Sequence, residues 1–209
     1  MSGTTLRSLR LALASLIAVA LVAHLLIGLS RSDGLTVIRF FSFFTVLSNT
    51  AAVMMLTMHA RRPDRDRGDG FAAFRGAVTV YMSVTALVYA VVLAPSPTDV
   101  VMSEPWIVWT LHVIGPVAVA LDWVANPPRT RLDTRALAWW MVFPVVYLVY
   151  SLVRGPIVDW YPYPFLDPAT GGYGAVALWS VVVLTVILGF GYAYHWWAGR
   201  AAAPLTASH

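Results

Sequence analysis

The stretch LALASLIAVALVAHLLIGL, residues 11–29, runs for nineteen positions without a formal charge. Crossing a bilayer as a helix takes about 20 mostly apolar residues. The run is too long for a signal-peptide core and has no convincing small-residue cleavage site, so it reads as a retained first helix, about Leu9–Leu29. Five further stretches qualify in the same way: Phe40–His59, Gly76–Ala94, Trp106–Ala125, Ala136–Val153 and Gly174–Trp196. No segment repeats, and only loops separate the runs. The expected fold is therefore all-α: a polytopic membrane protein with six transmembrane helices in one bundle. One domain would cover residues 1–200, followed by a disordered cytoplasmic tail over 201–209.

Composition agrees with this class. Hydrophobic residues make up 59% of the chain and charged residues 11%, too little charge to cover a soluble domain of 209 residues. Cysteine is absent, which excludes disulfides, thiolate nucleophiles and cysteine metal sites. The 14 basic residues are all arginine, a bias that fits GC-rich coding and a bacterial source. The net charge of +4 does not point to nucleic acid, because the arginines flank apolar segments and so read as topology determinants.

Their distribution sets the expected orientation. Arg7, Arg10, Arg61, Arg62, Arg65, Arg67, Arg75, Arg129, Arg131, Arg135 and Arg200 fall on one side, against Arg31, Arg39 and Arg154 on the other. The positive-inside rule puts the larger set, and with it both termini, in the cytoplasm, for a bacterial protein that of the cytoplasmic membrane. The outer face then has three connections: Ser30–Arg39, Pro95–Pro105 and the aromatic, proline-rich Arg154–Tyr173. In the last of these, Pro156, Pro162, Pro164 and Pro168 forbid regular helix. The loop reads either as an interfacial aromatic belt or as an ordered lid over the outer mouth of the bundle.

Polar residues within apolar spans need a reason. In the second span, Ser42, Thr45 and Asn49 are spaced three and four apart, which places them on one helical face. In the fourth, His112 lies about six residues below the outer boundary, roughly 9 Å. Pro116 has no N–H to give the His112 carbonyl four residues earlier, and Gly115 adds room. His24 lies at a similar depth, as do Tyr89, Tyr147, Tyr150 and Ser151. Asp122, near the cytoplasmic end of the fourth span, reads as a structural partner for an arginine such as Arg129. Hydrogen bonding between helices would account for such groups. A hydroxyl and an imidazole at one depth also make a nucleophile and general base. No GxSxG, HExxH, P-loop or dinucleotide motif is present.

Three blocks carry a family resemblance: RFFSFFTVLSN (residues 39–49), LHVIGPVAVALD (111–122) and WYPYPFLDP (160–168). Together they resemble the androgen-induced-protein-like membrane family, in its bacterial Pr-six-Pr branch, over essentially the whole chain. Animal members hydrolyse fatty acid esters of hydroxy fatty acids with a membrane-embedded threonine and a histidine. The resemblance implies an intramembrane lipid-ester hydrolase near the outer face, acting on membrane lipids or another fatty-acyl ester, with no cofactor, metal or nucleic acid. The family histidine falls on His112. The threonine context, Arg39-Phe40-Phe41-Ser42-Phe43, falls on Ser42, with Thr45 one turn deeper as the alternate. Asn49, His24, Trp109, Trp160, Tyr163 and Phe165 are the expected substrate contacts, and Asn49 also a possible oxyanion donor. Rival readings are a small-solute or lipid transporter or channel, a haem carrier ligated by His24 and His112, and a scaffold without a site.

Overall fold

The computed structural model describes residues 2–30, 36–61, 68–95, 104–128 and 130–201. Arg31, Arg62, Arg65, Arg67, Arg129 and the tail over 202–209 lie outside them, as does most of the expected second outer connection. The described residues form helices α1 (Gly3–Ser30), α2 (Val37–Phe40), α3 (Phe44–Arg61), α4 (Gly68–Val88), α5 (Pro105–Trp109), α6 (Gly115–Ala125), α7 (Arg135–Val158) and α8 (Pro168–Ala201). A π-helical turn, Tyr89–Leu93, continues α4, and another, Thr110–Ile114, joins α5 to α6. There is no strand among the described residues.

Five helical segments are long and apolar enough to cross a membrane: Gly3–Ser30, Gly68–Leu93, Pro105–Ala125, Arg135–Val158 and Pro168–Arg200. This is an integral membrane protein by length and composition. α3 is not among the five, because Thr45, Ser48, Asn49, Thr50, Thr57 and His59 dilute its apolar character.

The packing explains that dilution. α3 lies against α1 and α4, while α4 also meets α6, α7 and α8 and so forms the centre. Every position from Arg75 to Thr85 of α4 is buried, as expected of a helix surrounded by others. α1, α7 and α8 instead leave large apolar side chains outside, among them Leu26, Trp139, Ile157 and Leu178. Hydroxyls inside the bundle return to carbonyls of their own helix: Thr79 Oγ1 donates to Arg75 O, Ser83 Oγ to Thr79 O and Thr85 Oγ1 to Tyr81 O, each at 2.9–3.0 Å. Close approach of α4 and α7 depends on Gly76, where a Cβ would collide with the Trp140 ring.

Several expected boundaries shift. The second span is broken: α2 ends at Phe40, residues 41–43 turn, and α3 begins at Phe44. The third outer connection shrinks to residues 159–167. α7 carries Pro156 in its final turn, and Pro168 opens α8, at the end of a helix where a missing N–H is harmless. α8 kinks at Gly172 (φ 75°), just before the expected start of that span. Arg75, expected in a cytoplasmic loop, lies buried within α4.

That arginine belongs to an ionic cluster at the far end of α6 from His112. Asp122 accepts from Arg10 at 2.8 Å, and Arg75 and His59 approach it at 3.5 and 3.4 Å. Asn126 Nδ2 adds a bond at 3.1 Å. The cluster ties α1, α3, α4 and α6 together.

Candidate functional site

The break before α3 decides which hydroxyl can reach His112. Ser42 sits in the turn, where its N–H donates to Arg39 O and its Oγ to Ile38 O at 2.8 Å. The Ser42 Oγ also lies 3.0 Å from the Tyr150 hydroxyl, and Tyr147 donates to Ser42 O at 2.9 Å. Ser42 is thus a fastening point between the turn and α7. It does not share a helical face with Thr45 and Asn49, because the chain is not helical between residues 41 and 43.

Thr45, the second residue of α3, is 6% exposed, and its Oγ1 lies 3.5 Å from His112 Nε2. His112 is 4% exposed and sits in the middle of the Thr110–Ile114 π-turn. Its Nδ1 is 3.0 Å from Val108 O. A carbonyl only accepts, so this contact assigns the proton to Nδ1 and leaves Nε2 as a lone pair facing Thr45. The imidazole also lies on the Tyr89 ring, centroids 4.5 Å apart, which the π-turn ending α4 brings beneath it.

Asn49 holds the histidine helix in register. In the π-turn the Gly115 N–H donates to Thr110 O instead of to Leu111 O, and residue 116, the next along, is proline. Leu111 O thus has no main-chain donor in either register. Asn49 Nδ2 supplies one at 3.0 Å and bonds Thr45 O at 2.9 Å. The carbonyl stranded by Pro116 and met by Asn49 is therefore that of Leu111, one residue before the one expected from α geometry. With both amide hydrogens committed, Asn49 has none left for an oxyanion. Its Oδ1 is fully buried with no hydrogen-bond partner.

The loop over residues 159–167 completes the cluster. Thr45 N–H, free of any helical acceptor at the start of α3, donates to the Tyr163 hydroxyl at 3.2 Å. That hydroxyl is 3.3 Å from Thr45 Oγ1. Tyr163 stacks on Phe165, centroids 5.2 Å apart and nearly parallel, and burial raises its phenol pKa above the usual range. Trp160 sits edge-on to Phe43, with the Arg39 and Arg154 guanidiniums 5.3 and 5.5 Å from its ring centre. These contacts make the loop an ordered cover over the start of α3.

Beyond Thr45 and Tyr163 opens an apolar cavity of about 70 Å³ between α4, α7 and α8, with Val84, Pro144, Leu148, Val183 and Leu184 in its walls. Phe165 also lines it. Of the other expected contacts, His24 rests on the Phe40 ring, centroids 5.5 Å apart, and Trp109 is largely exposed on the outside of the bundle. Neither lines the cavity.

Three features of this arrangement escaped the sequence: both π-turns, the Tyr89 ring under His112, and the cavity. The Gly115-Pro116 pair was a visible signal for the second π-turn. The cavity had none, because its walls come from helices far apart in the chain.

Fold and site together define the class: an all-helical integral membrane protein with a buried hydroxyl–imidazole–phenol cluster at the end of an apolar cavity. Comparisons with protein-family models, curated proteins and solved structures found no match.

Proposed function

We propose that this protein is an intramembrane lipid-ester hydrolase in which Thr45 is the nucleophile and His112 its general base. The observation that carries the reading is the 3.5 Å approach of Thr45 Oγ1 to a histidine nitrogen whose lone pair is left free by the Nδ1 contact to Val108. A resting contact of this length tightens when substrate fills the site. The resemblance to the androgen-induced-protein-like family points to the same threonine–histidine chemistry, and the geometry favours Thr45 over Ser42.

His112 Nε2 takes the Thr45 hydroxyl proton as Oγ1 bonds to the ester carbon. The ester C–O bond then breaks, and the leaving alcohol takes the proton back from the imidazolium. Water, deprotonated by the same nitrogen, releases the fatty acid from Thr45 in the second half-reaction. The apolar cavity suits the first carbons of an acyl chain. At about 70 Å³ it is smaller than the roughly 150 Å³ engineered cavity that admits benzene, so the rest of the chain would lie between α7 and α8 toward lipid.

Topology completes the proposal. α3, with 18 residues, spans about 27 Å, close to the roughly 30 Å hydrocarbon core, and serves as the sixth crossing. Its polar face is sheltered by α1 and α4. With both termini cytoplasmic by the arginine distribution, the cluster lies near the outer face of a bacterial cytoplasmic membrane.

The test is labelling by an alkyl fluorophosphonate in detergent micelles. Wild type and Ser42→Ala are expected to label, and Thr45→Ala and His112→Ala to lose labelling. Undiminished labelling of Thr45→Ala and His112→Ala ends the proposal.

A further inference from the structure

Resting on that reading, we infer that the Tyr163 hydroxyl is the oxyanion donor of the site, presented by the loop that covers it. The hydrogen-bond chain fixes where each proton sits. His112 Nδ1 faces a carbonyl and so carries hydrogen, which leaves Nε2 bare. Thr45 then directs its hydroxyl hydrogen to Nε2. The Tyr163 oxygen accepts from Thr45 N–H at 3.2 Å, so its own single hydrogen is free to point at Thr45 Oγ1, 3.3 Å away.

During attack that acceptor changes character. Oγ1 becomes an ester oxygen and a poor acceptor, while the former carbonyl oxygen, two bonds from Oγ1, takes up the electron pair. The phenol hydrogen follows the charge over that short arc without leaving its own oxygen. No proton is transferred from Tyr163, and the charge balance of the step is unchanged. Donation from Thr45 N–H, at the N-terminus of an 18-residue helix, polarises the phenol in the same sense.

Two further observations support the role. Two neighbouring side chains have their hydrogens committed: those of Asn49 go to Thr45 O and Leu111 O, and the Ser48 hydroxyl goes to Thr45 O at 3.1 Å. The phenol is also held in place. Tyr163 is 5% exposed, its ring stacks on Phe165, and its carbonyl accepts from Leu166 N–H in the Pro164–Leu166 turn. Burial raises its pKa, so the group keeps its hydrogen at neutral pH.

The experiment uses the full chain in nanodiscs, with p-nitrophenyl octanoate as probe substrate and octyl trifluoromethyl ketone as an inhibitor that forms a tetrahedral oxyanion on the nucleophile. Tyr163→Phe keeps the stacked ring and is expected to lower kcat about 100-fold with KM little changed. The same substitution should weaken inhibition by the ketone by a similar factor. A second protein with trifluorotyrosine at position 163 keeps a more acidic phenol. It should move the alkaline limb of the pH–rate profile to lower pH, a response that ring packing alone would not give.

Full kcat in Tyr163→Phe, with Thr45→Ala and His112→Ala inactive, overturns the inference and leaves the threonine–histidine pair standing. If Tyr163→Phe does not fold, an unmoved alkaline limb in the trifluorotyrosine protein overturns it instead. Activity that survives in Thr45→Ala, or none in wild type, removes the hydrolase reading and the inference with it.

Discussion

Replacing Asp122 with asparagine tests the packing of the bundle independently of any chemistry. Asp122 is approached by both Arg10 and Arg75, and Arg75 is 1% exposed. At an effective dielectric of 20, unit charges 3.5 Å apart attract by about 332/(20 × 3.5), or about 5 kcal/mol. The Arg10 pair, at 2.8 Å, attracts somewhat more. Desolvation and repulsion between the two arginines offset much of this while all members are present. Removing the acid alone takes away the carboxylate that both guanidiniums approach, for an expected loss of about 3–5 kcal/mol. The assay is reversible unfolding in mixed dodecyl maltoside and SDS micelles, followed by the fluorescence of the nine tryptophans. A companion Arg75→Met substitution should recover part of the loss when combined with Asp122→Asn, giving a coupling above about 1 kcal/mol in the double-mutant cycle. Asp122→Asn within about 0.5 kcal/mol of wild type would refute the account of this end of the bundle.

Gly115→Ala places a Cβ 2.9 Å from Thr110 O and 3.2 Å from the Ile17 side chain, so the π-turn that carries His112 must shift. Fluorophosphonate labelling should slow at least several-fold while the helical circular dichroism signal is retained. Asn49→Ala strands Leu111 O without a donor and should cost about 1–3 kcal/mol in the same unfolding assay. The raised Tyr163 pKa makes a signed prediction about pH. Its neutral form is favoured by folding, so its contribution is complete below the unfolded value of about 10 and is lost as pH rises beyond that toward the folded pKa. Thermal stability of wild type should therefore fall more steeply above pH 10 than that of Tyr163→Phe, and equal slopes would rule out the buried phenol as the cause.

Much of the architecture was legible in the chain because the bilayer imposes a length and a polarity on every crossing. Long uncharged runs, short loops and the placement of arginines define an all-helical membrane protein before any contact is known. The placement of His112 inside the bundle was legible too, from its depth and from the proline four residues on. Which of the Ser42 and Thr45 hydroxyls approaches His112 was not. Helical spacing puts both on one face only if the helix is continuous, and the turn at residues 41–43 is fixed by Tyr147 and Tyr150 on a helix more than a hundred positions away. The same applies to Arg75, which looks like a loop residue until Asp122, brought by another helix, gives its charge a partner. Local sequence therefore set which long apolar segments form the helical bundle. Only tertiary structure decided which polar groups meet inside it, because their partners come from separate helices and each pairing depends on how those helices are packed and rotated.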